Sequence, residues 1–191
     1  KESVKLKGEE NYFDWNYSDD AEKIRRLLLL FNVESVRQNG EQSQWFPFDK
    51  YKFGGKGKNS WSLEHIHAVN SQDIGTHQEL WREWFRLHRV SLKNSPDENK
   101  YLLDEIDRLL NRKDFKGKDF QALQQKILKK LSPDDLSDEP DDSIANLALL
   151  KCEENSVLGN SVFDVKRNEI IKLDMAGAFI PFCTKMAFLK Y

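Results

Sequence analysis

Apolar positions along the chain follow two patterns, one typical of helices and one typical of buried strands. Helical spacing predicts a first helix from about Ser18 to Val36, which includes four consecutive leucines at 27–30. It predicts three more helices over residues 77–90, from Pro96 onward and over 118–131, and another that begins at Gly159-Asn160-Ser161. Residues 61–69 are apolar enough for a buried strand, and 143–150 form a second short apolar segment. We therefore expect an α+β fold that is mostly helical.

The three central helices are expected to form a helical insertion over residues 77–131 beside the strand. Their stripes are expected to face a core, and on the second helix the stripe includes Tyr101. His77 and His88 are expected on the surface of this insertion. Residues 133–142 carry six acids without the spacing of a calcium loop, which favours a solvated acidic linker. Upstream, Pro47 within residues 44–48 predicts a short edge strand.

Composition places the chain among globular proteins that do not enter a membrane. Of its 191 residues, 39% are hydrophobic and 32% are charged, and the formal net charge is −2. No apolar run approaches the roughly 18 residues of a membrane span. Cys152 and Cys183 form neither a metal-ligand pair nor a disulfide framework, so we expect a cytoplasmic location. The chain starts with Lys1 and not Met, from which we expect a fragment of a longer protein.

The predicted strand at 61–69 carries three ionisable side chains, Glu64, His65 and His67. Burying such groups without partners costs several kcal/mol, so a metal ion with a phosphate nearby is an attractive explanation. Side chains alternate along a strand, so Glu64 and His65 can serve one site only where the strand bends or ends. If it does neither, His65 and His67 are the natural pair, and the metal is softer than Mg²⁺.

Hydrolysis of a phosphodiester needs a base for the attacking water, a cation for the developing charge, and a scaffold that aligns them. Histidine suits the base because its pKa lies near neutrality. Carboxylate and amide oxygens suit a hard cation such as Mg²⁺. Glu64, His65, Asn146 and Asn155 supply these residue types. From the residues alone, Asn146 is equally well a buried turn amide, and Asn155 a helix or turn cap.

A basic loop precedes the strand. It has aromatic side chains and glycines among four lysines, Lys50, Lys52, Lys56 and Lys58. Such a loop either holds a phosphate backbone or is a solvated hairpin tip.

The order of these residues resembles the ββα-metal, or HNH, nuclease motif. The fuller similarity is to the C-terminal HNH domain of the GmrSD family of modification-dependent, type IV restriction proteins. Trp61-Ser62-Leu63-Glu64-His65-Ile66 resembles the first motif of that family. The second motif block of that family resembles a later part of this chain, namely Asn146-Leu147-Ala148-Leu149-Leu150, Asn155, Asn160, Phe163 and Lys166-Arg167. The similarity covers most of the chain from about residue 24 onward.

The resemblance implies a role for each matching residue. His65 would be the general base, with Glu64 and Asn155 as ligands of a divalent metal, most simply Mg²⁺ with Mn²⁺ or Ni²⁺ as alternatives. Asn146 would brace the loop between the strands and orient His65. Lys166 and Arg167 would contact phosphate groups, and His67 is an alternative base or ligand.

At the level of the protein, the resemblance implies a DNA endonuclease domain spanning residues 1–191. Its substrate would be modified double-stranded DNA, and a nucleotide-binding sensor domain would precede it in the same protein. The sequence departs from the family at His67-Ala68, where members often carry proline, and in the long insertion. The alternative is a catalytically silent module on the same scaffold that binds DNA or a protein.

Overall fold

We describe a computed structural model of the chain. It describes residues 11–38, 46–51, 61–67, 77–132, 141–151, 158 and 161–189. The chain divides into two compact units. The strand unit comprises Lys1–Ile66, Asp141–Asn155 and Glu169–Tyr191, and the helical unit comprises His67–Pro140 and Ser156–Asn168. The described residues are mostly helical with one two-stranded antiparallel sheet, which confirms the α+β prediction.

The first helix, α1, spans Tyr17–Gln38 and begins within one residue of the predicted start. Asn16 caps it, because its Oδ1 accepts a hydrogen bond from the backbone N–H of Asp19 at 2.9 Å. The amide of Asn16 donates in turn to the Asp19 carboxylate at 3.2 Å. Leu27 and its neighbours pack against the core of the strand unit, as the run of leucines predicts.

Strand β1 spans Trp61–His65 and pairs antiparallel with β2, Leu147–Lys151. The register sets His65 opposite Leu147 and Leu63 opposite Leu149, so these four residues share one face. The core of the strand unit consists of Trp15, Ile24, Tyr51, Trp61, Leu63, Leu147, Leu149 and Cys183.

The prediction of an edge strand at 44–48 is wrong for residues 46–48, the part of it that the structure describes. Phe46 and Pro47 have no regular structure, and Phe48–Tyr51 form a 3₁₀ turn. Backbone groups here bond locally, since Lys50 N–H donates to the carbonyl of Pro47 at 3.0 Å. Gln44 and Trp45 lie outside the described residues.

The helical unit contains the three helices predicted within residues 77–131, as α2 (Gln78–Leu92), α3 (Pro96–Leu110) and α4 (Gly117–Leu131). All three helices are thereby confirmed. Their core includes Trp81, Trp84, Phe85, Leu92, Leu102, Ile106, Phe115, Phe120, Leu123 and Ile127. Tyr101 was expected in this core but is 56% exposed, because it lies about 100° around α3 from its buried neighbour Leu102.

Two further helices complete the described chain. Helix α5 spans Phe163–Met175, a few residues after the start predicted at 159–161, and α6 spans Phe182–Leu189. Gly177 follows α5 with a φ of 79°, a left-handed conformation that commonly ends a helix. None of the described helices is both long and apolar enough to cross a membrane.

Candidate active site

The candidate site lies where β1 ends. Glu64 and His65 are the last two residues of the strand and both are buried. Ile66 and His67 then form a bend. The strand therefore ends at His65, which meets the condition under which Glu64 and His65 can serve one site.

Within the described part of the strand unit, the imidazole of His65 lies beside a carboxylate and an aromatic ring. Its Nε2 lies 2.8 Å from Oδ1 of Asp142, and the two side chains are 10% and 30% exposed. Its ring centroid lies 5.0 Å from that of Tyr17, with 45° between the ring planes. The ring is therefore held from one side by a carboxylate and covered on another by an aromatic side chain.

Asn146 is buried and comes directly before β2. Its carbonyl accepts a hydrogen bond from the N–H of Ile66 at 2.8 Å, which extends the antiparallel ladder one step beyond His65. Its side-chain amide donates to the carbonyl of Asp141 at 2.8 Å. Asn146 thus connects the end of β1 to the segment that bears Asp142, while its role in orienting His65 stays a prediction.

The predicted metal ligands are only partly described. Glu64 lies opposite Ala148 on β2 and offers a buried carboxylate, the donor type that hard cations prefer. The second predicted ligand, Asn155, lies outside the described residues. Among the residues that the structure describes, no group of three His, Cys, Asp or Glu side chains could hold a metal ion. The described donor set is incomplete, so the metal stays a prediction.

The alternative base, His67, differs from His65 in its surroundings. It is exposed, and its ring stacks on Phe163 in the helical unit, with 5.1 Å between centroids and 14° between planes. His65 is buried beside a carboxylate, whereas His67 packs on an apolar ring.

The residues predicted to contact phosphate differ in how far the structure exposes them. Lys166 is only 1% exposed, which argues against its predicted contact with a DNA phosphate, while Arg167 is half-buried. Lys50 is exposed and lies 3.8 Å from the Asp49 carboxylate. The other three lysines of the basic loop, Lys52, Lys56 and Lys58, lie outside the described residues.

Sequence-based reasoning missed Asp142, which it assigned to the solvated acidic linker at 133–142. In that range only Asp141 and Asp142 are described. The carboxylate of Asp142 contacts His65, and its carbonyl accepts a hydrogen bond from Tyr17 N–H at 2.9 Å. The assignment of Asp142 to a solvated linker is wrong. Its position just before the apolar segment at 143–150 was the available signal.

His88 is the second residue that was misplaced, since it is 0% exposed and not on the surface. It follows Trp81 and Trp84 at seven and four residues, so helical spacing puts it on the buried face of α2. Its ring stacks on Trp84 with 3.5 Å between centroids, and its Nδ1 lies 2.9 Å from the Trp84 carbonyl. Burial lowers the pKa of His88 to about 3, against a smaller upward effect of that carbonyl, and the charge of Lys166 lowers it further.

Comparison of the chain with protein-family models, with curated proteins and with solved structures finds no match.

Proposed function

We propose that this chain is a metal-dependent endonuclease domain that hydrolyses DNA phosphodiester bonds, with His65 as the general base. The observation that carries the proposal is the placement of His65 and Asn146 at one end of the two-stranded sheet. The 77–131 insertion separates these residues in sequence, so their spacing alone argued nothing. In the fold, Ile66 N–H and the Asn146 carbonyl, 2.8 Å apart, bring the two predicted motif blocks together.

The order of elements also supports the proposal. A strand that ends in Glu64-His65 pairs with a strand preceded by Asn146, and helix α5 follows in the chain. This is the order strand, strand, helix that the resemblance to ββα-metal nucleases implies.

In the proposed reaction, a water oxygen forms a bond to phosphorus as His65 takes a proton from that water. The phosphorus–oxygen bond opposite the attacking water breaks, and the leaving oxygen then acquires a proton from solvent. A bound divalent metal, held by Glu64 and Asn155, would neutralise charge on the phosphate and the leaving oxygen. Burial of His65 limits the orientations of its ring, which is what a general base requires.

The biological setting is part of the same proposal. The domain would be the cytoplasmic effector of a restriction or phage-defence protein, and a nucleotide-binding sensor domain would control it. Its substrate would be modified double-stranded DNA.

The test is plasmid cleavage by the purified chain in EDTA, Mg²⁺, Mn²⁺ or Ni²⁺, with His65→Ala and His77→Ala compared. His77 is the matched control, because its exposed side chain makes no capping hydrogen bond at the start of α2. We expect metal-dependent cleavage that His65→Ala abolishes and His77→Ala retains, with DNA binding intact in both variants.

If the chain alone does not cut, the same variants are tested in the full-length protein with nucleotide and modified DNA. DNA binding without cleavage in every metal, in both proteins, would overturn the nuclease assignment and favour the silent DNA-binding module.

A further inference from the structure

We infer that Asp142 is a positioning residue for His65: its carboxylate holds the Nε2 proton and makes Nδ1 the nitrogen that accepts a proton from water. The catalytic part of this inference rests on the proposed function. The hydrogen-bonded pair itself does not, and it can be tested without any cleavage assay.

The assignment of the proton follows from the chemistry of the pair. An ionised carboxylate has acceptors and no donor, so a 2.8 Å contact between Asp142 Oδ1 and His65 Nε2 requires the proton on Nε2. A neutral imidazole carries one proton, so its other nitrogen, Nδ1, then holds the basic lone pair. Asp142 therefore selects one tautomer of His65.

Hydrogen bonds to two successive backbone carbonyls, those of Asp141 and Asp142, hold the segment that bears the Asp142 carboxylate. Tyr17 N–H donates to the carbonyl of Asp142 at 2.9 Å, and the Asn146 amide donates to the carbonyl of Asp141 at 2.8 Å. An isolated antiparallel bridge pairs Asn16 with Ser143. These bonds restrict the positions that the Asp142 carboxylate can take.

Tyr17 contributes to both members of the pair. As the first residue of α1, its N–H has no acceptor within the helix and is suited to bond a neighbouring carbonyl, here that of Asp142. Its ring lies 5.0 Å from the ring of His65. The start of α1 therefore holds the backbone of the residue that bears the carboxylate and places an aromatic ring beside the imidazole.

The Asp142 carboxylate has two chemical roles that a substitution of equal size can distinguish from a packing role. Before the reaction it sets the tautomer, and after proton transfer its negative charge stabilises the imidazolium. Asp142→Asn preserves the size of the side chain but reverses the tautomer preference of His65, because the amide N–H₂ group can donate to Nε2 and favour a proton on Nδ1.

The chain offers a matched control one residue away. The Asp141 carboxylate accepts a hydrogen bond from Ser143 N–H at 3.0 Å, and Asp141 is exposed. Asp141→Asn removes the same charge, while the amide oxygen can still accept from Ser143. A general effect of lost negative charge would appear equally in Asp141→Asn and Asp142→Asn.

The direct experiment is ¹⁵N NMR of the histidine side chains in the full chain at about pH 8.5, where a histidine with an ordinary pKa is neutral. Only four histidines are present, and His65→Ala assigns the His65 signals. We expect His65 as the Nε2–H tautomer in the wild type and in Asp141→Asn, with a shift toward Nδ1–H in Asp142→Asn. A wild-type Nδ1–H tautomer, or equal spectra for both aspartate variants, would overturn the inference.

Cleavage then tests the catalytic part, in whichever protein cuts under the assay above. We expect Asp142→Asn to lower the single-turnover rate by about 10²- to 10⁴-fold with unchanged DNA affinity, and Asp141→Asn to stay close to wild type. If the tautomer result holds and no protein cuts, the nuclease proposal fails while the pair stands. If cleavage occurs and Asp142→Asn cuts normally, the positioning role fails.

Discussion

The imidazole of His88 accepts a hydrogen bond from the backbone N–H of Val162, with 3.4 Å between Nε2 and N. The other ring nitrogen, Nδ1, donates to the carbonyl of Trp84 at 2.9 Å. The two bonds together need one proton on the ring, so His88 is neutral and joins α2 to the residue that precedes α5. This buried histidine makes the stability of the helical unit depend on pH.

We expect stability to fall as pH falls below about 6.5. The pKa of His88 is about 3 in the folded protein and 6.5 when unperturbed, so between these values the unfolded chain binds the extra proton. The stabilisation is fully present above 6.5 and is lost progressively toward 3. The pKa difference corresponds to about 2 kcal/mol less stability at pH 5 than at pH 7.5. Urea unfolding of wild type and His88→Gln at pH 5 and pH 7.5 measures this loss of stability. An identical loss in the two proteins would refute the assignment to His88.

Lys166→Met is expected to change the pKa of His88 more than the affinity of the chain for DNA. Lys166 is 1% exposed, and its charge is one of the causes that lower the His88 pKa. Removing that charge should raise the pKa of His88, although burial, the larger cause, keeps it below 6.5. Histidine NMR titration measures this shift.

The same variant tests the predicted phosphate contact. Each lost phosphate contact should reduce the slope of log affinity against log salt by about one. We expect Lys166→Met to leave this slope unchanged, and the exposed Lys50 provides the comparison through Lys50→Met. A reduction of about one in Lys166→Met would show that Lys166 reaches phosphate despite its burial.

His67→Ala is expected to keep cleavage within about threefold of wild type, since a general base contributes about 10²- to 10⁴-fold and we assign that role to His65. Loss of its stack on Phe163 should instead cost about 0.5–1.5 kcal/mol of stability. His67→Phe, which keeps an aromatic ring there, should recover most of that stability. Cleavage that survives His65→Ala and is lost in His67→Ala would move the base to His67.

Asn32 is expected to be among the most sensitive positions of the strand unit. It is fully buried, and its Oδ1 accepts from the N–H of Cys183 at 3.1 Å and from the hydroxyl of Tyr51 at 3.3 Å. Asn32→Leu would leave both donors without this acceptor, at a cost of about 2–4 kcal/mol. Urea unfolding against Arg37→Ala, an exposed position on α1, measures the difference, and equal stabilities would contradict the prediction.

The helices could be predicted because their signals are local. Pro96 at the start of α3 and the apolar spacing of α2 and α4 act within a few turns, and all three helices are found. Tyr101 and His88 were misplaced for opposite reasons. An apolar ring was assumed to be inside and an imidazole outside, although the spacing along each helix indicated otherwise.

The candidate site could be predicted only in part, because its completion depends on contacts between distant segments. His65 and Asn146 were identified from residue type and order. Asp142 was not, since an aspartate at the end of an acidic run looks solvated until the start of α1 and the end of β1 are placed beside it. No local pattern encodes the bond from Tyr17 to Asp142, which depends on tertiary structure.

Asn146 provides the last prediction, because it tests whether the segment bearing Asp142 is held from the side of β2. Asn146→Asp keeps the size of the side chain but loses the donor to the Asp141 carbonyl, a bond of 2.8 Å. We expect a stability loss of about 1–3 kcal/mol and a mixture of His65 tautomers, because the Asp142 carboxylate is held less firmly. Unfolding in urea and histidine NMR measure the two effects separately. If Asn146→Asp destabilises the chain while His65 keeps a single Nε2–H tautomer, the bonds from α1 alone suffice to hold Asp142, and Asn146 serves the fold and not the base.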